Sequence, residues 1–213
     1  WQGPYAGLSI GLVLAGIAWG LVNFGFLLWL PVNLGELGLA KEASAIIAKS
    51  ALMAVPAVFV VIWLYHSWSS IKTLLLFLWL TAFSLMAFVA FDFWQLYQPT
   101  ALAVAIALLL VSASGVIAML IPYAAEIYPV ELRGAGSGLI AASSKFGGIL
   151  GAGVGVLGWF EQLGYSALAI AIALVGAALE LKRHGIETRG KTLEQLQREV
   201  SERQQGCKEK SQG

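Results

Sequence analysis

Six long apolar stretches, each about the length of a membrane crossing, dominate this chain. They run over 5–31, 44–65, 71–91, 100–122, 136–158 and 164–181. A bilayer's hydrocarbon core is about 30 Å thick and an α-helix rises about 1.5 Å per residue, so about 20 apolar residues make one span. Backbone N–H and C=O groups find no water in lipid, which leaves the helix as the conformation for each stretch. Barrel strands would be about half as long and would alternate in polarity. The predicted fold is all-α, a polytopic membrane protein. Residues 1–184 form a bundle of six transmembrane helices, and residues 185–213 form a polar tail. The connectors fall at 33–42, 66–70, 92–99, 126–133 and 161–164.

Composition supports that division. The chain is 59% hydrophobic and 12% charged, whereas soluble domains are roughly half apolar and a quarter charged. Charges are sparse before residue 181 and dense after it. That is a lipid-embedded body with a solvated tail, not a nucleic-acid binder. The chain begins at Trp1 with no basic segment before its first apolar run. That run is not a secretory signal, and the sequence reads as a fragment of a longer protein. The single cysteine, Cys207, lies in the tail, outside any disulfide or metal pattern.

Basic side chains collect on the cytoplasmic side of a membrane. With both ends inside, that side carries Lys72, Arg133, Lys182, Arg183, Arg189 and Lys191. The other side has Lys41, with Lys49 just inside the second span. A multi-pass protein of the cell membrane (plasma or inner) with both ends cytoplasmic is expected. Trp29, Trp94, Tyr97 and Trp159 fall at predicted outer boundaries, and Tyr65 and Trp68 at an inner one. His66 and His184 also fall at boundaries, as solvated residues.

Small residues recur four apart: Gly7/Gly11 and Gly16/Gly20 in the first span, Gly134/Gly138 before the fifth, and Gly147/Gly151/Gly155 within it. Such spacing lets backbones approach closely where hydrophobicity supplies no drive to associate. In the tail, Thr192 and Gln195 resemble a capping box, and Leu193 and Leu196 form a short apolar stripe. Pro31 is expected to end the first span and Pro56 to kink the second.

Lys145 lies near the middle of the fifth span. A lysine there costs about 2.5–3.5 kcal/mol on insertion scales, so it should face a cavity or a partner. Asn23 is the one amide within 5–31, and Trp19 lies one turn before it. These three are the candidate substrate-path residues. No Asp or Glu lies mid-span; Asp92, Glu126, Glu161 and Glu180 are all near the ends. There is no phosphate loop, HExxH, paired acid or Ser/His/Asp set, so no catalytic residue, metal or cofactor is expected.

The segment 123–151 reads YAAEIYPVELRGAGSGLIAASSKFGGILG. It resembles the connection between the tenth and eleventh spans of the major facilitator superfamily, in its sugar-porter and metabolite:proton symporter branches. The core is Glu126, Pro129, Arg133 and Gly134, followed by a Gly-rich helix. ETRGKTLEQL at 187–196 is similar to that family's PETKGKSLEEI signature, with Ile186 in place of its proline. LVNFGFLLWLP at 21–31 is similar to its seventh span. HSWSSIKT at 66–73 departs from the family's D-x-x-G-R-R loop and keeps Lys72 alone.

The resemblance implies that the six spans are the family's seventh to twelfth, with an N-terminal six-helix half elsewhere. It implies a secondary transporter that carries a small metabolite, a sugar or organic acid, across the bilayer by alternating access, with proton coupling. It also implies that Glu126, Arg133 and Glu187 form a charge network holding the cytoplasmic side closed. The coupling carboxylate would then belong to the other half. Two rivals remain: a drug efflux carrier, and a non-transporting assembly or sensor protein derived from a transporter half.

Overall fold

The computed structural model describes residues 5–67, 69–188, 190–191 and 194–196, and for 40, 54, 57, 58, 60–62 and 64–67 the backbone alone. The described residues are helical almost throughout and contain no strand. Helix α1 (Ala6–Gly20) runs into a π-helical segment (Leu21–Phe26). Helix α2 (Leu27–Leu34) and a second π-helical segment (Gly35–Leu39) follow. The others are α3 (Ala40–Ser67), α4 (Ser70–Trp94), α5 (Pro99–Ile127), α6 (Val130–Val156) and α7 (Leu163–His184).

Five helical runs among the described residues are long and apolar enough to cross a membrane: Ala6–Leu39, α4, α5, α6 and α7. The chain is therefore a multi-pass helical bundle. The predicted span 44–65 lies inside α3, which is 28 residues long, contains Pro56 and is not among those five.

Helix boundaries differ from expectation most at the first span. Pro31 does not end it; the helix passes through Pro31, and the run to Leu39 is 34 residues long. Proline removes one donor and crowds the preceding turn. The π-helical turn just upstream, where Leu27 N–H reaches back to Val22 C=O, absorbs that disruption. The predicted connector 33–42 shrinks to a break at Gly38, whose φ of 79° is the left-handed region open to glycine. Helix α6 begins at Val130, directly after Pro129, so Arg133 lies in its first turn and not in a loop. Trp29, expected at a boundary, sits ten residues before Leu39 and is half-buried. The tail is described only in part: Arg189, Thr192, Leu193 and Cys207 lie outside the described residues, and Leu196 is buried.

Packing follows the small residues. α1 lies between α6 and α7, α4 against α7 and α5, and α3 against α5. A Cβ on Gly20 would strike the Ser144 carbonyl and the backbone of Gly147 and Gly148. One on Gly147 would strike the carbonyl of Ile17, and one on Gly151 would come 2.8 Å from the backbone nitrogen of Gly25. A Cβ on Gly155 would meet the indole nitrogen of Trp29. Lipid tails are as apolar as leucine, so such close approach, and the dispersion contact it allows, holds α1 and α2 to α6. Gly134 and Gly138 meet nothing within 4 Å. Hydroxyls inside the helices bond to backbone carbonyls one turn back, as Thr81 does to Phe77 and Ser143 to Ile140, both at 2.7 Å. Their polarity is thereby satisfied away from water.

The start of α1, the end of α5 and the end of α7 share one end of the bundle. The Ser9 hydroxyl lies 2.6 Å from that of Tyr128, and a Cβ on Gly7 would meet the His184 ring. The segment after α7 returns to this end, called here the tail end.

Candidate functional site

Of the predicted path residues, Trp19 and Asn23 are bonded to each other, and Lys145 reaches the same region through the Phe24 ring. Asn23 lies inside the π-helical segment Leu21–Phe26, at the centre of the Ala6–Leu39 run. A π-turn widens the helix and leaves i→i+4 groups out of register, and such turns recur at functional sites. The Asn23 amide donates to the Trp19 carbonyl at 3.1 Å. The Trp19 indole donates to the Ala113 carbonyl of α5 at 2.8 Å, which fixes that ring across the α1–α5 boundary. Phe24 stands edge-on to Trp19, with ring centroids 6.1 Å apart.

Lys145 lies two residues past the middle of α6, and its ammonium sits 5.6 Å from the centroid of the Phe24 ring. Gly148 makes room for that ring, since a Cβ there would come 2.8 Å from Phe24. A cation over an aromatic face is worth about 0.5–1 kcal/mol when exposed. Lys145 is exposed on this face of α6. Among the described residues no carboxylate pairs with it. The arrangement is a single cation near the middle of α6 over the Phe24 ring, with Trp19 edge-on to that ring and the Asn23 amide bonded to Trp19, which can attract an anion and seat an apolar body against the rings.

Farther along α2, the Trp29 indole nitrogen and the Asn33 amide nitrogen are buried with no hydrogen-bond partner among the described residues. Asn33 is 4% exposed. A buried donor without an acceptor costs about 1–3 kcal/mol. The sequence reading missed Asn33 because it ended the first span at Pro31; the signal was an amide one turn after Trp29.

The second cluster is at the tail end. Glu187 accepts from the Ser70 N–H at 3.0 Å and from the Ser69 hydroxyl, so it caps the start of α4. The Thr188 hydroxyl donates to Glu126 at 2.6 Å. Tyr123 both donates to the Ile186 carbonyl and accepts from its N–H, at 2.7 and 2.9 Å. The segment 185–188 is thus strapped across the start of α4 and the end of α5. Glu126 and Glu187 both belong to the strap. Arg133 forms no ion pair with either among the described residues, and its Nε is buried without an acceptor. Sequence reasoning did not find Ser69, Ser70, Tyr123 and Thr188, the strap's uncharged members.

No family model and no curated protein matches the chain.

Proposed function

We propose that this chain is the C-terminal half of a secondary transporter of the major facilitator type, which carries a small organic acid across the membrane by alternating access. One observation carries the reading: Lys145, near the middle of α6, has no carboxylate partner among the described residues and stands over the Phe24 ring, which packs edge-on to Trp19, whose carbonyl accepts from Asn23. A cation left so in lipid is expensive, and it is stable where water or an anionic group reaches it. A substrate carboxylate supplies that group, Phe24 and Trp19 offer an apolar wall, and Asn23 offers an amide. A sugar would use Asn23 and the rings but would have no need of Lys145.

The motif core at Glu126–Arg133 and the signature at 187–196 support the family reading, and the basic residues at the tail end support a cytoplasmic placement for it. In this reading the strap of Glu126, Glu187 and Thr188 steadies the inner end of the half-bundle, and the proton-coupling acid resides in the N-terminal half. The test is uptake of labelled organic acids and sugars by the full-length protein, with and without an uncoupler. Organic-acid uptake that falls at least tenfold in Lys145→Gln and is abolished by uncoupling is expected. Uptake indifferent to Lys145→Gln, or no uptake of any solute, overturns the reading.

A further inference from the structure

We propose that the outer face formed by α4 and α7 binds the headgroup of an anionic phospholipid at its tail end, through Lys72, Lys182 and Arg183. Headgroup binding at this face does not depend on what the chain transports. Two apolar stripes define the face. On α4, Leu76, Trp79, Phe83 and Met86 are exposed, at spacings of three and four. On α7, Tyr165, Leu168, Ile172 and Leu179 are exposed in the same helical rhythm. Residues three and four apart share one face of a helix, so each stripe is a single surface. The two helices pack against each other, so the stripes lie on neighbouring elements.

Both stripes end in cations, and at the same end. Lys72 precedes Leu76 by four residues, and Lys182 and Arg183 follow Leu179 by three and four; all three are exposed. The two ends meet, because a Cβ on Gly185, just past α7, would come 2.7 Å from the Ile71 side chain, next to Lys72. The other end of the face is different. It carries Phe93, Trp94 and Tyr165, exposed aromatics with no cation among them. Aromatic rings at one border and cations at the other match a lipid layer whose charged headgroups lie at the cationic border.

The neighbouring acids leave these cations available. Glu180 is directed to His184 at 3.2 Å and reaches Arg183 only at 3.9 Å, while the Arg183 side chain is 73% exposed. Glu187 is taken up by Ser69 and Ser70. Among the described residues Lys72 and Lys182 pair with no carboxylate. Cations that continue an apolar stripe fit a ligand with a phosphate head and acyl chains, which a free anion lacks.

The experiment compares the full-length protein with the triple variant Lys72→Gln/Lys182→Gln/Arg183→Gln. Each is placed in phosphatidylcholine vesicles doped with spin-labelled phosphatidylglycerol or spin-labelled phosphatidylcholine. The wild type is expected to immobilise the phosphatidylglycerol label preferentially. Each cation near an anionic surface is worth roughly a fivefold preference, so the triple variant should lose at least tenfold. Lys41→Gln, an exposed cation elsewhere, should lose none. The charge-keeping triple Lys72→Arg/Lys182→Arg/Arg183→Lys should retain the preference, which separates charge from misfolding. Equal preference in the triple Gln variant and the wild type, an equal loss in Lys41→Gln, or release of the lipid label by inorganic phosphate at constant ionic strength would each overturn the proposal.

Discussion

The hydroxyl of Tyr123 and the backbone of Ile186 are joined twice, by an O–H donated to the carbonyl at 2.7 Å and an N–H accepted at 2.9 Å. The two residues are 63 positions apart, and both are buried. One phenol therefore satisfies both backbone groups of a residue that follows the last turn of α7. Tyr123→Phe keeps the ring and removes the hydroxyl. Two buried backbone groups are then left without that partner, at about 1–3 kcal/mol each where nothing replaces it. The expected outcome is a lower thermal midpoint in detergent and faster proteolysis after residue 185. Unchanged cleavage would mean that the strap is held by Glu187 and Thr188 alone.

A sharper contrast is available along α6. A Cβ at Gly147 would collide with the Ile17 carbonyl, whereas one at Gly153, six residues later on the same helix, meets nothing within 4 Å. Gly147→Ala is expected to destabilise the protein by about 1–3 kcal/mol, the range for forcing extra atoms into a packed contact. Gly153→Ala should be neutral or slightly stabilising, because alanine favours helix over glycine by up to about 1 kcal/mol. Thermal unfolding of the two variants in the same detergent checks the difference. Equal effects would show that α1 and α6 do not depend on this close approach.

These positions also show how far sequence reaches. The apolar stretches dictated helices, because lipid leaves backbone groups no other partner; of the glycines spaced by four, Gly16/Gly20 and Gly147/Gly151 lie where the first helical run meets α6, Gly7/Gly11 face α7, and Gly134/Gly138 meet nothing within 4 Å. Trp19, Asn23 and Lys145 were picked out as polar or bulky residues in apolar surroundings; Trp19 and Asn23 are bonded to each other, and Lys145 is joined to them through Phe24 because α1 and the π-helical segment pack on α6. The π-helical segment was not legible, since a shift to i→i+5 bonding adds no pattern to the residues. Nor was the passage of the helix through Pro31, which kept Asn33 out of view. The strap was read as charges alone. Its Tyr123 and Ser69 ties join residues 63 and 118 positions apart, and periodicity reports only on near neighbours.

The connector between α4 and α5 carries a pH-dependent contact. The Tyr97 hydroxyl donates to Asp92 at 2.7 Å. Burial, then the hydrogen bond and charge of Asp92, push the Tyr97 phenol from 10.0 up to about 12, with Gln95 opposing. The folded protein holds this proton more tightly than the unfolded chain. The resulting stabilisation is complete below pH 10.0 and is lost as pH rises through about 12. Phenolate absorbance of the folded protein should show a step near pH 12 that Tyr97→Phe removes. A step missing near 10 in that variant would contradict the contact.

Pro31 sits inside α2, five residues past the π-helical segment, and the helix runs on beyond it. A proline in a helix interior costs about 3 kcal/mol relative to alanine, through the missing donor and the crowded preceding turn. Pro31→Ala returns an N–H that can bond the carbonyl of Leu27, at the edge of the π-turn. The helix should then stiffen, and the thermal midpoint should rise. If the chain works as the transporter proposed above and the π-turn is where the Ala6–Leu39 run bends, the same change should slow uptake by the full-length protein without weakening substrate binding. Asn23→Leu should do the reverse, keeping the midpoint nearly unchanged, because among the described residues its amide bonds only the Trp19 carbonyl one turn back on its own helix, while lowering apparent affinity. Measuring rate and affinity in both variants separates the two roles. A Pro31→Ala protein that is more stable and equally fast would remove the bend from the mechanism and leave the π-turn as a packing adjustment around proline.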